Sequence, residues 1–264
     1  MTNMTTIFIG LEAEYYKARG TKLLLIALAV PVFISVCTFL ICYNIPIKTI
    51  APTPWKQLLN GTESLLAFNS LLISIIAITS LAVQTENKAN AWKHLLILPI
   101  PKWTIYVCKY LFILLLIAAI HVLIVLFLLF NGWLLGIVRP ETNFGQQAPN
   151  VYQITGNLSK IFLSVLSVTA IQYWFSLRVK NYMLPIFIGG FAVIAFTFAA
   201  LLGWSKSVYI PYAYVAVTDM FIDGKINELV HFGLPRHLWF GIVCFVIISV
   251  LSILDAIFKR IKEQ

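Results

Sequence analysis

Charged residues are scarce in this chain of 264 residues: acids and bases together make up 11% of it, and ten are Asp or Glu. A soluble domain carries about 25% charged residues. Hydrophobic residues make up 60% of the chain, and the mean hydropathy is +0.90. The composition therefore excludes an ordinary soluble protein and leaves no length for a separate soluble catalytic domain.

The sequence also lacks the short motifs that carry nucleotide and hydrolytic chemistry. It has no GxxxxGK[ST] phosphate loop, no HExxH metalloprotease pattern and no GxSxG nucleophile turn. Its four cysteines have neither metal-ligand nor redox spacing, and the polar residues Asp219, Asp223, His231 and His237 match no metal-ligand pattern. We therefore predict that the chain is not an enzyme and binds no metal or cofactor of its own.

Long apolar runs are what the sequence has in abundance. Six of them are long enough to be transmembrane helices, at about 23–43, 64–84, 105–130, 160–177, 183–204 and 238–258. We predict one all-α, multi-pass membrane domain over residues 1–264. The segments 44–63, 131–159 and 205–237 are expected to be external loops. The first is predicted to be extended because of its prolines, and the third is predicted to carry a short surface helix over 217–230.

The basic residues predict the orientation of these spans. With the N-terminus inside, twelve of the nineteen Lys and Arg residues fall in cytoplasmic segments and seven fall outside. The inner ones lie close to span ends, where the bias counts most. Both termini are therefore expected in the cytoplasm, and the net charge of +9 gives no reason to expect nucleic acid. Asp255, near the inner end of the last span, is expected to pair with Lys259 one helical turn later.

Two polar stretches have the pattern of helices that lie along a membrane surface. In residues 1–22, an apolar patch precedes the charged and aromatic residues Glu12, Glu14, Tyr15 and Lys17, which suits an amphipathic interfacial helix. A frayed tail is the alternative. The second stretch runs from Glu86 to Lys109, where the apolar residues Ala91, Trp92, Leu95, Leu96 and Leu98 recur at helical spacing beside Lys93 and His94. Pro99 and Pro101 then stop the helix. The alternative for this stretch is an ordinary basic loop.

A few polar side chains lie inside the predicted spans: Asn69 and Ser74 in the second, His121 in the third and Gln172 in the fourth. Polar groups in hydrocarbon prefer a protein partner, so the second span is expected to face other helices. An intramembrane His is a candidate functional group. The alternative is a neutral His that is hydrogen-bonded to a neighbouring helix.

The residues Glu86, Trp92-Lys93, Leu95-Leu96, Pro99-Ile100 and Lys109 resemble the first cytoplasmic loop of ABC-2-type transporter permeases. They look most like the permeases of lantibiotic-immunity and antimicrobial-peptide exporters. The stretch Leu11–Lys17 before the first span and the stretch Leu177–Asn181 before Leu184-Pro185-Ile186 carry the same resemblance. It implies a coupling helix between spans two and three that docks into a separate ATPase. The residues assigned to it on this basis are Glu86, Trp92, Lys93, His94, Leu95, Leu96, Leu98 and Pro99.

On this resemblance, the chain is expected to be the permease subunit of an ATP-driven exporter in the bacterial cytoplasmic membrane. Cytosolic ATPase subunits would bind ATP and Mg beneath two permease chains, which are either identical or related. The expected substrate is an amphiphile such as a lantibiotic or another antimicrobial peptide. An ion-coupled secondary transporter and a non-transporting membrane scaffold are the alternatives. The few ionisable groups within the spans count against the first alternative.

Overall fold

The computed structural model describes residues 3–88, 101–179, 181, 183–226, 230–231 and 234–261, and most of them are helical. The helices are α1 (Asn3–Arg19), α2 (Leu23–Asn44), α3 (Ile47–Ile50), α4 (Pro54–Leu65), α5 (Leu71–Lys88), α6 (Lys102–Val138), α7 (Val151–Arg178), α8 (Met183–Leu201), α9 (Tyr214–Ile222) and α10 (Arg236–Ile261). Short 3₁₀ turns occupy Pro140–Thr142, Ser205–Tyr209 and Pro211–Ala213. Two short strands, β1 (Val230–His231) and β2 (Leu234–Pro235), form an antiparallel pair with Val230 opposite Pro235.

Five of the described helices are long and apolar enough to cross a membrane. They are α2, most of α6 (Trp103–Val138), α7, α8 and the first part of α10 (Arg236–Asp255). Their exposed surfaces are rich in large apolar side chains, including Leu25, Leu115, Phe191 and Val246, which are 52–75% exposed. Such a surface suits lipid contact, so the prediction of a multi-pass helical membrane protein is confirmed in its coarse form.

The expected second span is not one continuous α-helix. A π-helical segment, Leu66–Ser70, separates α4 from α5, and within it Asn69 adopts φ = 68°. A residue other than glycine in the left-handed region marks local strain or a functional constraint. The apolar part of α5, Leu71–Glu86, is shorter than the five long helices. The described residues thus contain five candidate spans where six were expected, and hydropathy could not show the interruption in the expected second one.

The expectation of an extended, exposed loop over 44–63 was wrong. Pro54 occupies the first turn of α4, a position where its missing N–H costs nothing. The buried residues Leu58, Leu59, Thr62 and Glu63 recur at helical spacing and pack into the protein. Prolines in this segment therefore begin a helix instead of keeping the chain extended.

Two other segments that were expected to be loops are largely helical as well. Helix α6 continues to Val138 and α7 begins at Val151, so the expected loop 131–159 is helical at both ends. The side chain of Asn150 starts α7 by accepting a hydrogen bond from the Gln153 amide at 3.1 Å. In the third segment, the expected surface helix over 217–230 is instead α9, with Tyr214–Thr218 buried.

The helices pack around one large apolar core that draws on α2, α4, α5, α6 and α7. Helix α7 is central, since it contacts α5, α6, α9 and α10. Helix α1 packs across the beginning of α6, and Arg178 at the end of α7 meets Asp255 near the end of α10. We call this the terminal end of the bundle. The opposite end, marked by the contact of Trp55 with Phe144, is called the far end.

Candidate functional site

Four charged side chains from three separate helices meet at the terminal end of the bundle. Glu14 and Lys17 lie on α1, Glu86 lies near the end of α5, and Lys109 lies in the second turn of α6. We call these four residues the ion-pair cluster. The sequence singled out all four, but it assigned Glu14 and Lys17 to the interfacial helix and Glu86 to the coupling segment. Folding brings them into one site.

The two lysines bridge the two glutamates. Lys17 Nζ lies 2.5 Å from Glu14 Oε1 and 2.9 Å from Glu86 Oε1. Lys109 Nζ donates to Glu14 Oε2 at 2.6 Å and to the Ala82 carbonyl at 3.1 Å, and it lies 3.2 Å from Glu86 Oε1. The Lys109 ammonium therefore has three oxygen atoms within 3.2 Å. The cluster ties α1, α5 and α6 to one another.

Burial makes these charges costly to separate. Lys109 is 1% exposed, Glu86 is 2% exposed and Glu14 is 6% exposed, while the Lys17 side chain keeps 34% of its surface. Two carboxylates and two ammonium groups give no net charge, so each buried charge has opposite charges around it. Removing one member of such a group leaves an uncompensated buried charge, which costs about 3–5 kcal/mol in comparable cases. Glu86 Oε2 is buried and has no hydrogen-bond partner among the residues described here.

The two α1 members of the cluster are held in their charged forms. Burial by itself would raise the pKa of Glu14, but the ammonium groups of Lys109 and Lys17 outweigh it and leave the pKa below its ordinary value. Burial would likewise lower the pKa of Lys17, but Glu86 and Glu14 outweigh it and raise the pKa. Glu14 and Lys17 therefore stay ionised across the neutral range.

A glycine lets α1 reach this position. A Cβ atom at Gly10 would lie 2.5 Å from Cys108 Sγ, so a larger residue would push α1 off α6. Cys108 Sγ also lies 3.7 Å from the Ile7 carbonyl. Glu14, one turn after Gly10 on α1, meets Lys109, which directly follows Cys108 on α6. The close approach at Gly10 and the ion-pair cluster are thus parts of one contact between α1 and α6.

The other face of α1 points away from the protein. Phe8, Tyr15 and Tyr16 are 70%, 47% and 61% exposed, and Glu12 is exposed beside them. Aromatic side chains of this kind suit the headgroup level of a membrane. Glu14 differs from the expectation, because it was placed among solvated charges and is instead buried against α6. One face of α1 thus binds the bundle, and the other carries the aromatic residues of the expected interfacial helix.

Most of the predicted coupling helix lies outside the described residues. This applies to Trp92, Lys93, His94, Leu95, Leu96, Leu98 and Pro99. The structure does describe the chain on both sides of residues 89–100: Glu86 precedes them by three residues, and Lys109 follows them by nine. Both belong to the ion-pair cluster. Glu86 and Lys109, which flank the segment that was predicted to dock a partner, are therefore both bonded to α1.

The four predicted intramembrane polar residues do not form one site. Gln172 Nε2 donates to Ser80 Oγ at 3.2 Å and to the Pro185 carbonyl at 2.8 Å, which joins α5, α7 and α8. Asn69 Oδ1 accepts from Thr197 Oγ1 of α8 at 2.7 Å, and Ser74 donates to the Ser70 carbonyl at 2.5 Å. Asn69 and Ser80 therefore bond to other helices, as was expected of the second span.

His121 stands apart from these residues. Its Nδ1 lies 2.9 Å from the Ile117 carbonyl of its own helix, so it does not bond to a neighbouring helix through this atom. Its ring meets Phe162 edge-on at 5.0 Å. Together they line an apolar cavity of about 240 Å³ between α6 and α7. Within the described part of the chain, no group of three or more His, Cys, Asp or Glu residues could hold a metal ion.

Sequence reasoning missed two features of the structure. Asp255 forms a two-pronged ion pair with Arg178, with both N–O distances at 2.8 Å; the side chain of Lys259, the partner expected from the sequence, lies outside the described residues. Glu63, placed in an exposed loop, is fully buried. The Arg178–Asp255 pair was weakly indicated in the sequence, because the two residues carry opposite charges near the ends of the fourth and sixth predicted spans. The burial of Glu63 was also indicated in the sequence, because Glu63 continues the helical spacing of Leu58, Leu59 and Thr62.

Comparison with known proteins agrees with this architecture. A family model described as "ABC-2 family transporter protein" matches residues 10–197, which include the whole ion-pair cluster, α2 to α7 and most of α8. No curated protein and no solved structure matches the chain.

Proposed function

Because the chain belongs to the ABC-2 family of transporter proteins, we propose that it is the permease subunit of an ATP-driven exporter and takes its energy from a separate ATPase. The family supports a membrane-spanning transport subunit, and the sequence carries no phosphate loop of its own. In this proposal the terminal end of the bundle faces the cytoplasm, as the excess of basic residues in the predicted inner segments indicates.

The observation that carries the proposal is the position of the ion-pair cluster. Glu86 and Lys109 flank the predicted docking segment, and both are tied to Glu14 or Lys17 of α1. Movement of a docking segment can move the spans if the residues at its two ends are held firmly against rigid helices. The buried, mutually compensating charges supply that fixation without a reactive group.

The mechanism is mechanical. Closure of the ATPase subunits would push on the segment around Trp92, Leu95 and Leu96, and the cluster would carry this motion into α5, α6 and α1 together. Helix α6 is well suited to act as the lever. It has 37 residues, and at about 1.5 Å per residue it is roughly 55 Å long, compared with about 30 Å for the hydrocarbon core of a bilayer.

The proposal extends to the assembly and its cargo. Two permease chains, identical or related, would pair above two ATPase chains in the bacterial cytoplasmic membrane. The cargo would be an amphiphile, such as a lantibiotic or another antimicrobial peptide. The large apolar side chains exposed on α8 and α10 suit contact with lipid, with a second permease chain or with such a cargo.

Affinity purification of the tagged protein from its native membrane tests the partner. We expect a cytosolic ATPase to co-purify in fixed stoichiometry and to hydrolyse ATP. The variants Trp92→Ala and Leu95→Asp should insert normally and lose the ATPase, because they remove the apolar docking contacts. Glu86→Gln should keep the ATPase bound, because Glu86 lies at the base of the segment and not on its docking face.

Trp103→Ala is the matched control, since Trp103 lies in the first turn of α6 and is 38% exposed. It should recover the ATPase as the unmodified protein does. Full recovery of the ATPase by both docking variants would overturn the assignment of the docking segment. A protein that purifies without any ATPase under all conditions would overturn the proposed function itself.

A further inference from the structure

Glu63 is a buried acid that the proposed transport mechanism does not use. It lies near the end of α4, one turn before the π-helical segment Leu66–Ser70, and its exposed fraction is 0%. Neither carboxyl oxygen makes a hydrogen bond of standard geometry among the residues that the structure describes, although the Asn157 side chain is close enough to act on it as a donor. Helix α4 is not one of the five long membrane-crossing helices. Glu63 is therefore a fully enclosed carboxyl group on a helix that is not itself one of the five candidate spans.

The charged groups around Glu63 do not neutralise it. Asp219 of α9 and Asp223, which directly follows that helix, add negative charge, and Asp223 is paired with Lys225 at 2.9 Å. From α7, Asn157 presents an amide and Lys160 a positive charge, but Lys160 lies over the ring of Phe221 and forms no ion pair with Glu63. His237 of α10 bonds to Thr218, the neighbour of Asp219. Helix α2, segment 66–70 and residues 123–138 of α6 contain no acid, base or histidine.

An ionised carboxylate in this position would be very unfavourable. Burying a charge without a paired charge or hydrogen-bond donors costs so much that the group takes up a proton instead. A neutral carboxylic acid of the same shape fits beside the Asn157 amide and the apolar residues of α4. A proton on Glu63 removes this cost in the packed arrangement.

A polar cavity reaches within one helical turn of this carboxyl group. It has a volume of about 180 Å³ and lies at the far end of the bundle. Its wall includes the polar residues Gln147, Asn150 and Gln153, and at its base are Leu59 and Ile154. Leu59 precedes Glu63 by four residues and Ile154 precedes Asn157 by three, so each pair shares a helix face. Glu63 itself does not line this cavity, so α4 has to move before its carboxyl group can reach it.

We propose that Glu63 is a proton-binding site: it takes up a proton from the far-end cavity when α4 packs into the bundle against α2 and α6, and it releases that proton when α4 moves away from them. The proton comes from water and returns to water, and no other bond is made or broken. The joint beside it is suited to such a movement, because the strained Asn69 lies in the π-helical segment that follows. The inference is independent of the ATPase partner.

The expected pH dependence follows from the electrostatics of the pocket. The pKa of Glu63 is raised from 4.5 to about 7, and burial is the largest cause. The negative charges of Asp219 and Asp223 also raise it, and the Asn157 amide and Lys160 act in the opposite direction. Between these two values an exposed Glu63 is ionised, whereas the packed form keeps its proton. The packed form therefore loses stability as the pH rises from 4.5 toward 7, and the loss levels off above the higher value.

Two measurements on the purified protein in lipid nanodiscs test this. The first is the infrared difference spectrum over a pH titration, in which the unmodified protein should show the C=O stretch of a carboxylic acid that disappears with a midpoint near 7. Glu63→Gln should abolish this band, and Glu63→Asp should shift it. The second is the thermal midpoint between about pH 5 and about pH 8, which should fall less with rising pH in Glu63→Gln than in the unmodified protein.

Glu141→Gln is the matched control, because Glu141 is an exposed acid at the far end of the bundle. It should leave both readouts unchanged. The pKa of Asp219 is raised to about 6 by burial and by Asp223, so its band is expected to disappear at a lower pH than that of Glu63, whose pKa is about 7. The infrared readout does not depend on how well a variant folds, because the band is first sought in the unmodified protein. Its absence there, or pH profiles that coincide for Glu63→Gln and the unmodified protein, would overturn the proposal.

Discussion

The ammonium group of Lys109 lies 2.6 Å from Glu14 Oε2, although 95 residues separate them in sequence. Both side chains are almost completely buried, and Lys109 also lies 3.2 Å from Glu86. This contact fixes the N-terminal helix to the beginning of α6, directly behind the segment that is predicted to dock an ATPase. It is the relationship on which the first two predictions depend.

Replacing Lys109 with Met should destabilise the protein strongly. The substitution leaves Glu14 and Glu86 with Lys17 as their remaining positive partner, so one buried negative charge is uncompensated, at a cost of about 3–5 kcal/mol. Thermal unfolding in detergent should show a much lower midpoint. Lys206→Met, at an exposed position, should leave the midpoint within error.

A double-mutant cycle separates the ion pair from simple loss of packing. Glu14→Gln combined with Lys109→Met removes one charge of each sign, so the double variant should be less destabilised than the sum of the two single variants. Additive effects would mean that the two residues do not interact in the membrane-embedded protein.

A disulfide should form between α1 and α6 when Gly10 is replaced with Cys. A Cβ atom at Gly10 points at Cys108 Sγ, and all four native cysteines are free. In a background with Ser at positions 37, 42 and 244, mild oxidation should link residues 10 and 108, as detected by mass spectrometry of the joined peptides. Gly20→Cys, whose position lies near the backbone of Lys17, should not link to Cys108. Failure of the first pair to link would place α1 elsewhere.

Two adjacent glycines in α8 should respond differently to the same substitution. A Cβ at Gly189 would meet Gln172 Oε1 at 2.8 Å and Ile76 at 3.2 Å, whereas a Cβ at Gly190 would meet nothing within 4 Å. Gly189→Val should therefore push α8 away from α5 and α7, at a cost of about 1–3 kcal/mol, while Gly190→Val should be well tolerated. Equal thermal midpoints for the two variants would contradict this packing.

The Arg178–Asp255 pair should contribute much less than the ion-pair cluster. Its side chains are 46% and 29% exposed, and solvent-exposed ion pairs are worth about 0–1 kcal/mol. Asp255→Asn should therefore lower the thermal midpoint only slightly and make it less dependent on salt. A loss as large as that of Lys109→Met would show that this end of the bundle is more enclosed than the packing indicates.

Hydropathy predicted where the long helices lie, but it did not predict how they end. The apolar runs became helices because a backbone in hydrocarbon must satisfy its own hydrogen bonds. Helix ends depend on caps and packing. Helix α6 ends at Val138, eight residues after the predicted end of its span, and α7 begins after the Asn150 cap, nine residues before the predicted start of its span. The proline-containing segment before span two was misread for the same reason: burial of Leu58 and Leu59 outweighs the usual meaning of proline in a loop.

Sequence alone determined that this chain is a multi-pass membrane protein, that its charges are confined to a few segments, and that it carries no nucleotide-binding motif of its own. These properties are set by composition and by local spacing, which no tertiary contact can change. The tertiary structure decided which of the few charges meet. Glu14, Lys17, Glu86 and Lys109 pair across up to 95 residues, and the Glu63 carboxyl group is enclosed, because burial is set by the packing of helices that are distant in the chain.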